Sequence, residues 1–86
     1  MYDAQVGRDA EKFIRKQDKD IQRQLLKKLH ALADNPRPVG YETLKGTDAL
    51  YRIRSGDYRI VYTIEDNILR VLVVAVGHRK DIYRKL

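Results

Sequence analysis

The dipeptide Gly56-Asp57 and the segments on either side of it constrain the fold more than any other part of this chain. Tyr51-Arg52-Ile53-Arg54-Ser55 and Tyr58-Arg59-Ile60-Val61-Tyr62 alternate in the period of two that marks β-strands, and Gly-Asp suits a two-residue hairpin turn. Closing the turn there pairs Ser55 with Tyr58, Arg54 with Arg59, Ile53 with Ile60, Arg52 with Val61 and Tyr51 with Tyr62. Successive side chains point to opposite faces, so Tyr51, Ile53, Ile60 and Tyr62 share one side. Arg52, Arg54 and Arg59 share the other. A three-residue loop would pair Ile53 with Arg59 and mix apolar with basic groups on both faces, so the hydrophobic pattern selects the shorter turn.

Like charges directly opposite each other on a sheet are destabilising by roughly 0.2–1 kcal/mol. Setting Arg54 against Arg59 therefore weakens the hairpin, and an anionic ligand on that face is the functional account of it. The structural account is a solvated basic edge, since charged residues also guard sheet edges against aggregation. The overall balance leans the same way: 18 Lys+Arg against 12 Asp+Glu give a net charge of +6, which suits a phosphate backbone or an acidic protein partner.

Eighty-six residues are expected to form one domain, residues 1–86, whose core buries only about 60–65% of the unfolded surface. That leaves no room for a large enclosed pocket, and a functional site should be a shallow surface groove. Cysteine is absent, so disulfides, a thiol nucleophile and a cysteine-based zinc site are excluded. No apolar run approaches the roughly 20 residues that span a bilayer, and the first residues lack the pattern of a secretion signal. The chain is expected to be cytoplasmic, without membrane contact.

Alternation of Tyr2, Ala4 and Val6 with Asp3 and Gln5 predicts a short first strand. A helix should begin near Arg8-Asp9 and bury Ala10, Phe13 and Ile14. Asp18 or Asp20 is available to cap a second helix, whose Ile21, Leu25, Leu29 and Leu32 form one stripe. Pro36 and Pro38 end it. After the hairpin, a turn at Asp66-Asn67 is expected to set Arg59 beside Val74 and Ile60 beside Val73 in a final apolar strand, Ile68–Val76. Apolar residues of both parities mark that strand as central. The prediction is an α+β fold, β-α-α-β-β-β. Its small, mostly antiparallel twisted sheet carries the helical pair on the Tyr51/Ile53/Ile60/Tyr62 face, leaving the arginine face open.

Leu44-Lys45-Gly46, Leu50-Tyr51-Arg52-Ile53-Arg54, Gly56-Asp57-Tyr58-Arg59-Ile60-Val61-Tyr62 and Val76-Gly77-His78-Arg79-Lys80-Asp81-Ile82-Tyr83, in this order, resemble the RelE/ParE superfamily of bacterial and archaeal toxins. The likeness runs over essentially the whole chain. It is nearest to the RelE branch, whose members cleave messenger RNA in the ribosomal A site. The resemblance implies catalytic roles for Arg52, Arg54, Arg59 and Arg79, with Tyr83 in the tail. The founding toxin has lysine where this chain has Arg52, Arg54 and His78. The resemblance also implies a cognate RelB-like antitoxin, a place on the small ribosomal subunit against ribosomal RNA, and DNA contact only through the antitoxin complex.

In such chemistry the 2′-hydroxyl of RNA attacks the adjacent phosphate. Guanidinium groups suit the charge that develops, because their fork offers paired donors to phosphate oxygens. Arg59 and Arg79 are expected to stabilise that charge, with Arg52 and Arg54 positioning the backbone. Arginine stays protonated and is a poor base, so Tyr83 or His78 is the expected proton acceptor. Strand parity is expected to place His78 on the Arg59 face, although a strand-end histidine bound to backbone fits as well. Tyr83 would equally serve to stack on a base or to anchor the tail. Lys45, Lys80 and Arg84 join Lys27 and Lys28 as candidate RNA-backbone contacts, the last two also fitting an exposed helix side. His30 reads as a solvated helix residue, and two distant histidines make no metal site. No cofactor is expected. Two other readings share this fold: a ParE-like inhibitor of DNA gyrase, and a catalytically silent binding module.

Overall fold

The computed structural model describes residues 1–44 and 49–84, with Tyr83 described through its backbone alone. Strand β1 (Asp3–Val6) leads into helices α1 (Arg8–Arg15) and α2 (Lys19–Asp34). Strands β2 (Glu42–Thr43), β3 (Tyr51–Ser55), β4 (Tyr58–Glu65) and β5 (Arg70–His78) follow, and a 3₁₀ turn at Ile82–Arg84 ends the described chain.

The Asp18 carboxylate caps α2 by accepting from the Ile21 N–H at 3.0 Å, satisfying one of the donors a helix start leaves free. Leu25, Leu29 and Leu32 from its stripe are buried, each stabilising the fold by about 1.5–3 kcal/mol relative to exposure. Asn35 leaves helical geometry at φ −148°, ψ 100°, the extended conformation that Pro36 demands of the residue before it.

The five strands lie in the order β1-β5-β4-β3-β2, with β1 parallel to β5 and the other pairs antiparallel. The hairpin register is the one expected from the sequence, from Ser55 opposite Tyr58 to Tyr51 opposite Tyr62. Gly56 turns at φ +59° and Asp57 does not have a positive φ, the sign pattern of a II′ turn that begins with glycine. Ile53, Ile60 and Tyr62 join Val71, Val73 and Val76 in one core, packed on Ala10, Ile14, Leu25, Leu29 and Leu32. Tyr62 is wholly buried, and its hydroxyl donates to the Pro36 carbonyl at 2.8 Å. Burial pushes its pKa up to about 12.

Three expectations change. The second turn is a 3₁₀ turn, Asp66–Ile68, completed by Leu69 at φ +51°. Together with a bulge at Val61/Tyr62 it sets Arg59 opposite Gly77 and Ile60 opposite Val76, rather than Val74 and Val73. An inserted residue breaks the parity of the bulged ladder, so the alternation counted back from Asp66-Asn67 does not carry through. The short strand β2 is an addition to the expected order. Lastly, the arginine side of the sheet is partly covered: Val61, Ala75 and Ile82 form a second buried cluster there, flanked by Leu44, Leu50 and Val74. A Cβ on Gly77 would lie 3.1 Å from the Ile82 Cδ1, so that glycine leaves the space in which the tail seats.

Opposite the hairpin turn, Arg37 donates to both oxygens of Asp66 at 3.2 and 3.0 Å, and the Tyr2 hydroxyl donates to the same carboxylate at 2.6 Å. This clasp ties the loop after α2 to the β4–β5 turn and to the start of β1. The Arg37 hydrogen bonds, then that of Tyr2, hold the Asp66 carboxyl down at about 2.

Candidate active site

The site is a groove of about 880 Å³ that wraps the outer edge of β3. Arg52, Arg54, Arg59, Arg79, Lys80 and Glu42 line one part of it, and Lys28, Ala31, Leu32, Pro38, Val39 and Gly40 the other, with Ile53 between them. Hairpin geometry explains the first group. Arg54 and Arg59 face each other across β3 and β4, and Arg52 lies two residues along the same face. Arg79 reaches the groove because its N–H donates to the Asp57 carbonyl at 2.7 Å, pinning the tail to the turn. Its Nε stands 3.9 Å from the Asp57 carboxylate, a loose pairing between exposed groups that leaves the guanidinium free to meet a ligand.

The guanidinium of Arg59 donates to the carbonyls of Gly56 and Tyr58 at 3.1 and 3.0 Å, which fixes its position against the turn. Arg52 donates to Glu42 at 2.7 Å across the β2–β3 pair. That hydrogen bond, the charge of Arg52, and the further charges of Arg54 and Arg59 hold the Glu42 carboxyl below the usual carboxylate range, against a contrary pull from desolvation. Four arginines and one carboxylate therefore share the groove, a set able to bind a phosphodiester, stabilise its developing charge and accept a proton.

Arg52, Arg54, Arg59 and Arg79 are brought together as the sequence implied, and Lys28 and Lys80 line the same groove. Lys27 and His30 are exposed on α2 and Arg84 is exposed at the final turn, all three off the groove lining. Lys45 lies outside the described residues, as does the side chain of Tyr83. His78 is a correction. It stands opposite Tyr58 on the helix side of the sheet, with the two rings 5.9 Å apart, and its Nδ1 accepts from the Lys80 N–H at 3.2 Å. The same bulge that shifts β5 turns His78 away from the Arg59 face.

Glu42 was missed. It sits on a two-residue strand with no alternation to read, and its cross-strand partner becomes visible only once β2 is paired with β3. The apolar part of the groove was missed too, because Leu32 read only as part of the helix stripe, and Ala31 and Val39 lie off every periodic pattern.

A family model described as the ParE toxin of type II toxin–antitoxin systems, parDE, matches residues 2–83. A RelE-like toxin protein of Escherichia coli is 40% identical over 86 aligned positions, which cover 95% of this chain and 90% of that protein. The mRNA interferase toxin RelE of Escherichia coli K12 is 37% identical over 68 positions, 77% of this chain and 70% of that one. The crystal structure of the intact Escherichia coli RelBE toxin–antitoxin complex contains a chain that superposes with a TM-score of 0.77 at 34% identity, covering 91% of this chain and 96% of that one.

Proposed function

This chain belongs to the ParE toxin family of type II toxin–antitoxin systems, in its RelE-like branch, and on that premise we propose that it is a toxin that cleaves messenger RNA. The observation that carries the reading is the convergence of Arg52, Arg54, Arg59 and Arg79 on one groove.

In the proposed reaction the 2′-oxygen bonds to the adjacent phosphorus while the bond to the 5′-oxygen breaks, leaving a 2′,3′-cyclic phosphate and a 5′-hydroxyl. Arg59 and Arg79 stabilise the pentavalent intermediate, and Arg52 and Arg54 hold the backbone. Glu42 is the proton acceptor. An incoming phosphate engages the Arg52 fork that now binds Glu42, and releasing that hydrogen bond restores basicity to the carboxylate where the 2′ proton must leave. Tyr83 is assigned the supply of a proton to the departing 5′-oxygen. Four guanidinium groups neutralise the charge that a metal would otherwise meet, so the activity is metal-independent.

The groove is open and offers few acid–base groups, so orientation of the RNA falls to the ribosome, with the toxin working in the A site. Fixing the reacting groups is worth several kcal/mol. Lys28 and Lys80 extend the cationic surface toward RNA. A RelB-like antitoxin with an acidic contact segment is the partner that silences the groove, and DNA contacts belong to that antitoxin. The whole of residues 1–86 acts as one domain, working in the cytoplasm where its substrate is. No helix among the described residues is long and apolar enough to cross a membrane.

Inducing the protein in growing cells and mapping messenger RNA ends tests this directly. Cuts within translated codons are expected. Arg79→Ala should lower cleavage by about 10²–10³ with the fold intact, because an exposed arginine contributes little to stability. Glu42→Gln should do likewise and abolish the level rate between pH 6 and 8 that a low-pKa acceptor gives; a rate rising tenfold per pH unit would assign the proton to Tyr83 instead. DNA breaks with intact messages would overturn the nuclease reading in favour of a gyrase-directed toxin.

A further inference from the structure

The groove continues past the arginines onto surface that is mostly apolar. In a two-residue hairpin the flanking pair, Ser55 and Tyr58, exchanges hydrogen bonds, so Arg54 and Arg52 turn their own N–H and C=O groups outward from β4. The outward groups at Leu50 and Arg52 are met by the preceding chain. The Leu44 N–H donates to the Leu50 carbonyl at 3.0 Å, and Glu42 pairs with Arg52. At Arg54 the chain has already peeled away. Gly40, which continued pairing would set opposite Arg54, instead turns at φ +93°, and the Tyr41 N–H closes back on the Pro38 carbonyl at 3.0 Å. That conformation is one that glycine tolerates and other residues rarely adopt.

The gap left beside Arg54 is walled by Ala31 and Leu32 of α2 and by Pro38 and Val39 of the loop, with Lys28 at its margin. Val39 is fully exposed. An apolar slot with a main-chain donor and acceptor at its side has the composition of a small-ligand site. Here it opens directly onto the guanidinium groups of Arg52 and Arg54. Single-stranded RNA is recognised by unstacked bases placed against apolar side chains while the backbone follows positive charge.

Resting on the nuclease reading above, we propose that this slot receives the nucleobase adjacent to the scissile phosphate, with the Arg54 main chain bonding the base edge. The slot, and not the arginine cluster, then sets which codons are cut. Discrimination by an apolar pocket is typically about 10–200-fold for a small change in fit, so the slot sets a preference among codons and does not bar the rest outright.

The test is single-turnover cleavage on programmed ribosomes, with each nucleotide of the A-site codon varied. Wild type is compared with Ala31→Phe, which fills the slot, and Val39→Asn, which removes its apolar lip. Both positions are exposed, and circular dichroism checks the fold of each variant. Arg59→Ala serves as the contrast, lowering every codon by one common factor. Both slot variants should change the ratio between best and worst codons by at least tenfold. Wild-type preference retained in both would overturn the slot while leaving the nuclease reading intact. Retained preference with weakened antitoxin binding would overturn it too, by giving the groove to a peptide. No cleavage of any codon by wild type would defeat both readings together.

Discussion

Replacing Arg54 by glutamine should make this protein more stable and less active at once. Arg54 and Arg59 oppose each other at a pair that does not exchange hydrogen bonds, the arrangement that brings cross-strand side chains closest. Removing one charge relieves a repulsion of roughly 0.2–1 kcal/mol. Glu42 loses the long-range attraction of Arg54 but keeps its hydrogen bond to Arg52 at 2.7 Å, so the net gain is about 0.5 kcal/mol. For a domain of this size that raises the melting temperature by about 2–4 °C. Thermal unfolding followed by circular dichroism at low salt measures it. In about 1 M salt, where the screening length falls to about 3 Å, the gain should disappear. The same variant should lose cleavage by up to about 10², because Arg54 holds the RNA backbone in position for the reaction. A melting temperature that falls or stays unchanged at low salt would refute the idea that the hairpin carries an electrostatic load for the sake of a ligand.

Further outcomes follow from the core and the clasp. Ile60→Ala, at a fully buried position facing α2, should cost about 2–5 kcal/mol in denaturant unfolding and weaken activity only through folding. Tyr62→Phe deletes the donor to the Pro36 carbonyl and should cost about 1 kcal/mol with little change of shape. The Asp66 carboxyl is depressed to about 2 by Arg37 and Tyr2. Its contribution to stability is therefore complete above about pH 4 and lost as pH falls through 2. Asp66→Asn should flatten that part of an acid-unfolding curve, and an unchanged curve would show that the clasp does not form.

The hairpin could be read from the sequence because three constraints agreed there: a turn dipeptide, strict alternation and an apolar face that a one-residue slip would expose. The α2 stripe and its Asp18 cap were equally plain. The second turn was not. Asp66-Asn67 imitates a tight turn, yet the chain uses them in a 3₁₀ turn ahead of a leucine in left-handed geometry. A bulge leaves no mark in composition, so the faces of β5 beyond it, and with them the side taken by His78, could not be counted along the chain. Within the site, charge and parity pointed to Arg52, Arg54 and Arg59, and family likeness added Arg79. Glu42 and the slot beside Arg54 depend on where a short strand begins and where a loop leaves it. Those are tertiary facts with no periodic signal.

The parallel ladder that sets Asp3 beside Arg70 and Val6 beside Val73 makes β5, the last strand of the described chain, the neighbour of the first. Until β5 emerges during synthesis, β1 has nothing to pair with and the inner edge of β4 stays bare. Contacts this distant along the chain form late. A toxin aimed at messenger RNA would thus stay unassembled, its sheet open on one side, until β5 has left the ribosome and docked between its two neighbours.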